Sequence, residues 1–144
     1  MKKYAYPASA DDYRQLARRR LPQFLFDYVD GGATDECTLA ANVTDWQSVS
    51  LRQRVLIDVN RIDTSTTLAG QHCSMPLALA PVGLAGMLAR RGEVQAARAA
   101  AALSVPFTLS TVGICSVDEV QAATPAPCWF QLYMLRDRGI VRAI

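Results

Sequence analysis

The sequence predicts an α/β fold, the N-terminal portion of a (β/α)8 TIM barrel preceded by a helical lead-in. The first observation is a continuous apolar run at 77–80 between two prolines, typical of a strand buried on both faces of a parallel sheet. Two similar short runs follow at 105–110 and 128–133. Strand starts at residues 77, 106 and 128 lie about one βα unit apart, which is the third observation.

The length of the chain limits how much of such a barrel it can form. A closed barrel takes about 250 residues, whereas this chain has 144. We expect residues 1–75 to form a helical N-terminal segment with a small hairpin, and residues 76–144 to form the first three strands and associated helices of an incomplete barrel. Either the sequence is a fragment, or the missing strands come from other chains.

Composition narrows the class of protein. The chain is 51% hydrophobic and 19% charged, which is ordinary for a soluble globular domain, and its net charge of +2 is too small to indicate nucleic-acid binding. It has no apolar run long enough to span a membrane and no signal-peptide core, so we expect it in the cytoplasm or at its membrane surface. Four cysteines without metal-ligand spacing are expected to be reduced and mostly structural, and no metal site is predicted.

Residues 1–32 predict two helices. Ser9 or Asp11 can cap the first, whose apolar residues recur at helical spacing. The three arginines at 18–20 fall in its last turn, where a solvated helix end is favoured over an anion site. A second helix, from about residue 22 to 30, ends at the glycine pair 31–32, which suits a left-handed stop.

A third helix and a hairpin are predicted before the first barrel strand. The helix covers residues 34–46 and begins with two acidic residues in its first turn. Residues 63–73 predict a small exposed hairpin around Ala69-Gly70, while 51–56 is a lead-in rather than a barrel strand. His72, the single histidine, lies beside that turn and is interpreted as a surface residue rather than a general base.

The connections between the barrel strands are predicted to be mainly helical. Residues 83–87 form a flexible glycine-containing segment, followed by an alanine-rich helix at 92–104. Ser116 and Glu119 form a capping box for a short helix closed by Pro125. Another helix begins at 136–138.

Polar side chains stand at the ends of the second and third predicted strands. Ser110 and Thr111 end one strand, and Gln131 and Tyr133 end the next. Ligands of βα folds bind at the carboxyl ends of the strands. The glycines at 83 and 86 lack the Gly-x-Gly-x-x-Gly spacing of a dinucleotide site, which disfavours a Rossmann fold.

Several motifs occur in order and at matching separations along the chain. They are Leu21-Pro22 with Asp27-Tyr28 and Gly31-Gly32-Ala33, Ser74-Met75-Pro76 with Ala80-Pro81-Val82-Gly83, Thr108-Leu109-Ser110-Thr111, and Trp129-Phe130-Gln131-Leu132-Tyr133 with Arg136-Asp137-Arg138. Together they resemble the FMN-dependent α-hydroxy acid dehydrogenase and oxidase family. Within that family, the similarity is greatest to the bacterial, quinone-linked enzymes that act on L-lactate.

The resemblance implies an activity and its partners. The cofactor is FMN, and a small 2-hydroxy acid, L-lactate, is oxidised to the 2-oxo acid pyruvate while electrons pass to a quinone or cytochrome. The complete enzyme is expected to be a homo-oligomer, either cytoplasmic or in peripheral contact with the cytoplasmic side of the inner membrane. The family's histidine base, paired arginines, flavin-facing lysine and phosphate site match nothing here, so we expect the chain alone to be inactive.

The resemblance also assigns roles to residues around the cofactor. Pro81, Val82 and Gly83 match the backbone segment that runs along the flavin near its reactive N5, where a small residue permits close approach. Ser110 and Gln131 match positions that hydrogen-bond the polar end of the flavin ring.

Two tyrosines are assigned to the substrate in the same way. Tyr28 matches the residue that holds the substrate carboxylate. Tyr133 matches the catalytic residue that contacts the substrate hydroxyl and the negative charge forming there. Simple packing roles for both tyrosines are the alternative. Val112 lies where the pocket wall of the family varies, and its role is left open.

Other readings of the whole chain stay open. One is a related 2-hydroxy acid oxidase or mandelate-type dehydrogenase, although Gly83 weakly favours a dehydrogenase and Val112 weakly speaks against an oxidase. The other is a non-catalytic truncated remnant.

Overall fold

A computed structural model describes residues 6–143. The chain forms two compact units, the first ending at Asp58 and the second beginning at Val59, and each is described by itself. The functional division predicted between residues 75 and 76 stays a prediction.

The first helix, α1 (Ala10–Arg20), is closed at its start by a capping box. The Asp12 N–H donates to Ser9 Oγ over 3.2 Å, and the Ser9 N–H donates back to the Asp12 carboxylate over 3.1 Å. The predicted helix is therefore confirmed, with Ser9 as its cap. The side chain of Arg14, in the middle of α1, donates to the Asp30 carboxylate (Nη2 to Oδ2, 2.9 Å) and so connects α1 to the next helix.

The second helix, α2 (Gln23–Asp30), buries Leu25 and Phe26. It ends near residue 31 as predicted, but the predicted left-handed stop is wrong because Gly31 is extended, with φ −81° and ψ 157°. A Cβ at Gly31 would lie 2.8 Å from the carbonyl oxygen of Asp27. Glycine is needed here for close packing rather than for a positive φ.

The third helix is shorter than predicted. It covers α3 (Cys37–Thr44) and continues as a 3-10 turn at Asp45–Ser48. Glu36 precedes it in the left-handed conformation, with φ 56°, and its Oε1 accepts a hydrogen bond from Gly32 N over 2.9 Å. Asp35 and Glu36 therefore lie before the helix rather than in its first turn, because this kink separates them from it.

The second unit opens with the predicted hairpin. Strands β1 (Thr66–Leu68) and β2 (Gln71–Cys73) pair antiparallel. Ala69 and Gly70 connect them with φ values of 47° and 81°, the two positive values that a type I′ turn requires. His72 is exposed on β2, as expected.

Three parallel chain segments follow. Strands β3 (Thr108–Ser110) and β4 (Trp129–Gln131) pair in parallel, with Ser110 opposite Gln131. The segment around Leu79 adds a third parallel member through a single bridge to Phe107. Leu79 N donates to Pro106 O over 2.8 Å, and Thr108 N donates to Leu79 O over 3.1 Å.

The predicted full burial of residues 77–80 is wrong. Leu77 is 47% exposed, and Ala80 is also exposed. The cause is topological, since among the described residues this segment has a strand neighbour on one side only. The flanking Pro76 and Pro81 lack N–H donors and shorten the ladder further.

The core of this unit forms where α5 (Gly92–Ala102) packs on the parallel segments. Its small side chains allow this close approach. The helix stops two residues before the predicted end, since Ser104 is left-handed with φ 53°. The buried cluster comprises Val94, Ala97, Ala100, Val105, Phe107, Leu109, Cys115 and Val120.

The remaining helices are short. The segment predicted to be flexible contains one helical turn, α4 (Ala85–Leu88), so that prediction is wrong in part. The Ser116 and Glu119 capping box is confirmed and opens α6 (Val117–Gln121). That helix ends before Pro125, so the proline does not close it.

The described chain ends in a short helix. Helix α7 (Arg138–Ala143) begins in the predicted basic segment. All four cysteines are free, as expected. Within residues 6–143, no helix has the length and apolarity to cross a bilayer, and no cluster of side chains suits a metal ion.

Candidate functional site

The parallel register brings the polar ends of β3 and β4 together. Ser110 is buried, and its Oγ donates to Gln131 Oε1 over 3.2 Å. Ser110 Oγ also accepts a hydrogen bond from Val112 N over 3.2 Å. The two predicted flavin-contacting side chains are therefore held against each other at the carboxyl edge of the strands.

Thr111 joins the two strand ends a second time. Its hydroxyl donates to the carbonyl oxygen of Gln131 and accepts from the N–H of Tyr133, the latter over 3.2 Å. The backbone on both sides of residue 132 is thereby anchored, while the Tyr133 side chain remains 46% exposed. Sequence reasoning noted Thr111 only as a polar strand-end residue and missed this bridging role.

Pro81, Val82 and Gly83, the backbone segment predicted to run along the flavin and called the flavin floor below, lie beside this edge. Pro81 and Gly83 are half-buried and Val82 is exposed, so the segment is not sealed inside the core. Leu84 N donates to Val112 O over 3.0 Å, which joins the loop after the first parallel segment to the loop after β3. Val82 and Ser110 also line one cavity of about 420 Å³.

The buried carboxylate of Glu93 also connects these two loops, the first of which includes the helical turn α4. Glu93 is 1% exposed, and its Oε1 accepts from Gly86 N over 2.9 Å and from Ile114 N over 2.8 Å. Burial by itself raises the pKa of Glu93, but hydrogen bonds from the backbone N–H groups of Ile114, Glu93 and Gly86 and from the Cys115 thiol together outweigh it and leave the pKa below its ordinary value. Sequence reasoning missed this residue, because an acidic residue in the first turn of a helix is usually exposed to solvent.

Cys115 lies beside that carboxylate. Burial raises the pKa of the Cys115 thiol, and the hydrogen bond of the thiol to Glu93 and the negative charge of that carboxylate raise it further. The thiol is therefore held in its protonated, unreactive form. This agrees with the structural role predicted for the cysteines.

Tyr28 belongs to the first unit. It lies on α2 and is 51% exposed, whereas its neighbours Leu25 and Phe26 are buried. Its side chain is therefore not part of that unit's core. The assignment of Tyr28 to a substrate carboxylate stays a prediction.

Short parallel strands, helical connections and hydrogen-bonded polar groups at the carboxyl edge define a ligand-binding α/β protein of the βα class. Residues 17–144 match the family described as FMN-dependent dehydrogenase, and the chain belongs to that family. The resemblance found in the motifs is thereby confirmed, as is FMN as the cofactor of the family.

Named relatives agree with this assignment. The chain is 65% identical over 135 residues to an L-lactate dehydrogenase of Caulobacter sp. (strain K31) and 60% identical to one of Xanthobacter autotrophicus. The match covers 94% of this chain but 36% of the Caulobacter protein. The chain thus spans about a third of the length of the curated relatives that it matches.

Solved structures give the same fold. A monotopic membrane protein, (S)-mandelate dehydrogenase, superimposes with a TM-score of 0.87 and 34% identity, covering 96% of this chain and 37% of that one. A flavocytochrome b2 double mutant with pyruvate bound gives 0.85 and 30%, covering 92% and 35%. The predicted fold class is confirmed as part of the barrel of these proteins, and the described residues form no closed barrel.

The residues at the strand ends fit a flavin. Within the described chain, no residue accepts a hydrogen bond from the Gln131 Nε2 amide, so this donor is available to a ring carbonyl. The adjacent Ser110 hydroxyl offers a further polar contact to the ring. The backbone of residues 81–83 offers a surface for its flat face. These are the features that the polar end and the face of an isoalloxazine ring require.

Proposed function

We propose that this chain contributes the first strands and loops of the active site of an FMN-dependent L-lactate dehydrogenase. The reaction is the oxidation of L-lactate to pyruvate. The observation that carries the proposal is the hydrogen-bonded edge formed by Ser110, Thr111, Gln131 and Tyr133, in a chain 65% identical to a named L-lactate dehydrogenase.

Five residues are assigned to the cofactor. Pro81, Val82 and Gly83 supply the backbone along one face of the ring, and Ser110 and Gln131 supply hydrogen bonds to its polar end. When bound, FMN accepts the two electrons that the substrate loses and passes them on. The mutual hydrogen bond of Ser110 and Gln131 fixes both side chains before the ring arrives, which lowers the entropic cost of binding.

The substrate is assigned to two tyrosines. The Tyr133 phenol donates a hydrogen bond to the substrate hydroxyl oxygen and stabilises the negative charge that develops there. Tyr28 holds the carboxylate. Oxidation removes two electrons and two protons from L-lactate. His72 lies exposed in the hairpin and is not assigned as the base that takes a proton.

The proposal is tested with the full-length natural protein. Purified protein is expected to show the visible spectrum of bound flavin, and anaerobic L-lactate is expected to bleach it. Re-oxidation by a soluble quinone analogue, with pyruvate formed in equal amount, completes the reaction. A colourless protein that does not bind added FMN would instead support the non-catalytic reading.

A mandelate-type dehydrogenase or an oxidase is the second candidate. Its support is the structural similarity to (S)-mandelate dehydrogenase. The comparison of kcat/KM for L-lactate and (S)-mandelate separates the two dehydrogenases. Peroxide release in air, measured against quinone reduction, identifies an oxidase.

The acceptor, assembly and location are part of the proposal. A quinone or cytochrome takes the electrons, and the complete enzyme is a homo-oligomer in the cytoplasm or in peripheral contact with the cytoplasmic side of the inner membrane. A monotopic membrane protein among the structural relatives supports peripheral contact. Fractionation of cells, with the size of the purified protein in solution, tests these points.

A further inference from the structure

We propose that Glu93 is a positioning residue that sets the distance between the face and the polar edge of the flavin site. The inference rests on the function proposed above, because it concerns the residues assigned there to the cofactor. Glu93 does not reach the strand ends itself, and its effect passes through the two loops whose N–H groups it binds.

The first of these loops follows the flavin floor. Gly86 N donates to Glu93 Oε1 over 2.9 Å, three residues after Gly83. A Cβ at Gly86 would lie 2.7 Å from the Ile114 Cβ and 2.9 Å from Glu93 Oε2. The first loop therefore packs directly against the Glu93 carboxylate and against the second loop, and a residue larger than glycine does not fit at position 86.

The second loop follows Ser110. Ile114 N donates to the same Glu93 oxygen over 2.8 Å, and Gly113 N donates to Ser110 O over 3.0 Å. Val112 N, in the same turn, donates to Ser110 Oγ, and the Ser110 hydroxyl donates to Gln131 Oε1. A shift of Ile114 would therefore move the turn that orients the Ser110 hydroxyl.

One oxygen that accepts from both loops fixes their separation more tightly than two independent contacts would. A buried carboxylate is costly unless it is hydrogen-bonded, and the second oxygen, Glu93 Oε2, makes no well-formed hydrogen bond among the described residues, with the weak donor of the Cys115 thiol beside the carboxylate. An apolar residue would fill this volume at lower cost. In return, the carboxylate accepts hydrogen bonds from two backbone N–H groups, those of Gly86 and Ile114, which an apolar side chain would leave without this partner.

The test uses two variants of the full-length protein and a matched control. Glu93→Met keeps the side-chain length but removes both acceptors, whereas Glu93→Gln keeps one acceptor oxygen and removes the charge. Asp118→Asn removes a carboxylate from the exposed first turn of α6. Amide hydrogen exchange is measured in the flavin-free proteins, and FMN affinity by fluorescence titration.

Glu93→Met is expected to speed amide exchange at Gly86 and Ile114 and to weaken FMN binding, each by about tenfold or more, the factor for the loss of a charge-assisted hydrogen bond. Glu93→Gln is expected to lie between Glu93→Met and the natural protein, with the amide of the core residue Leu109 unchanged. Asp118→Asn is expected to match the natural protein.

Unchanged exchange at both amides in Glu93→Gln and Glu93→Met overturns the proposal, as does unchanged FMN affinity. If Glu93→Met does not fold, Glu93→Gln decides by the same two measurements. If the natural protein binds no FMN, the proposed function fails, and the exchange data still decide whether Glu93 holds the two loops.

Discussion

The backbone N–H of Tyr133 donates a hydrogen bond to the side-chain oxygen of Thr111 over 3.2 Å. The Thr111 hydroxyl proton is directed to the carbonyl oxygen of Gln131, the last residue of β4, so one hydroxyl satisfies an acceptor at the strand end and a donor two residues beyond it. Because the chain leaves the sheet at this point, these backbone groups have no ladder partners. The hydroxyl therefore holds the backbone position from which the Tyr133 side chain extends.

Replacement of Thr111 by valine tests this relationship. Thr111→Val keeps the shape and removes both hydrogen bonds, and we expect kcat/KM for L-lactate to fall by about tenfold, mainly through kcat. Thr111→Ser retains the hydroxyl and is expected to restore most of the lost activity. Steady-state kinetics of the full-length protein measures both. Equal activity in all three proteins would exclude the bridging role.

Replacement of Gly86 by alanine tests the close approach of the two loops. The added methyl group would lie 2.7 Å from the Ile114 Cβ, and we expect the free energy of unfolding to fall by about 1–3 kcal/mol. Gly70→Ala is the contrasting variant, since a Cβ added there would meet no atom within 4 Å beyond its chain neighbours, and any loss of stability comes from the positive φ alone. Urea unfolding gives both values. A Gly86→Ala protein as stable as the natural one would contradict the packing described here.

The ionisation of Glu93 predicts a pH dependence of stability. The pKa of Glu93 in the folded protein is lowered from its ordinary value of 4.5, so the unfolded chain binds the proton more readily. The stabilisation is therefore fully present above that ordinary value and is lost as the pH falls through the lowered folded pKa. Glu93→Gln is expected to remove this component. Urea unfolding of both proteins over the acid range checks it, and identical pH profiles would refute it.

The capping box of α1 predicts a local loss of stability. Ser9→Ala removes the acceptor for Asp12 N, and we expect a loss of about 1 kcal/mol in the free energy of unfolding. Ser9→Asp keeps an acceptor at the cap and is expected to retain the stability. Thermal or urea unfolding followed by circular dichroism measures the difference. Unchanged stability of Ser9→Ala would show that α1 does not depend on its cap.

Patterns of local chemistry were predictable from the sequence, and contacts between distant segments were not. The end of β3 at Ser110 follows from an apolar run that stops at a polar residue, and the α1 cap follows from residues three positions apart. Strand β4 ends at Gln131, two residues before the predicted end at Tyr133. The bridging role of Thr111 depends on the register of β3 against β4. The burial of Glu93 depends on two loops converging on one helix start, and neither leaves a periodic signal in the sequence.

The errors have physical causes of the same kind. Gly31 was expected to adopt a positive φ, but it is required because Asp27 O lies where a Cβ would stand. Residues 77–80 have the composition of a buried strand, but they have a described neighbour on one side only. Composition reports what environment a segment favours, while actual burial depends on which segments are present to cover it.

The affinity of the flavin-free, full-length protein for FMN tests the central claim most directly when compared with that of Gln131→Met. The variant keeps the side-chain length and removes the amide donor. We expect the natural protein to bind FMN and Gln131→Met to bind about tenfold more weakly, because the variant lacks the amide proposed to donate a hydrogen bond to a ring carbonyl. Equal affinities of the two proteins, or no FMN binding by the natural protein, would contradict a flavin held at the joined ends of β3 and β4.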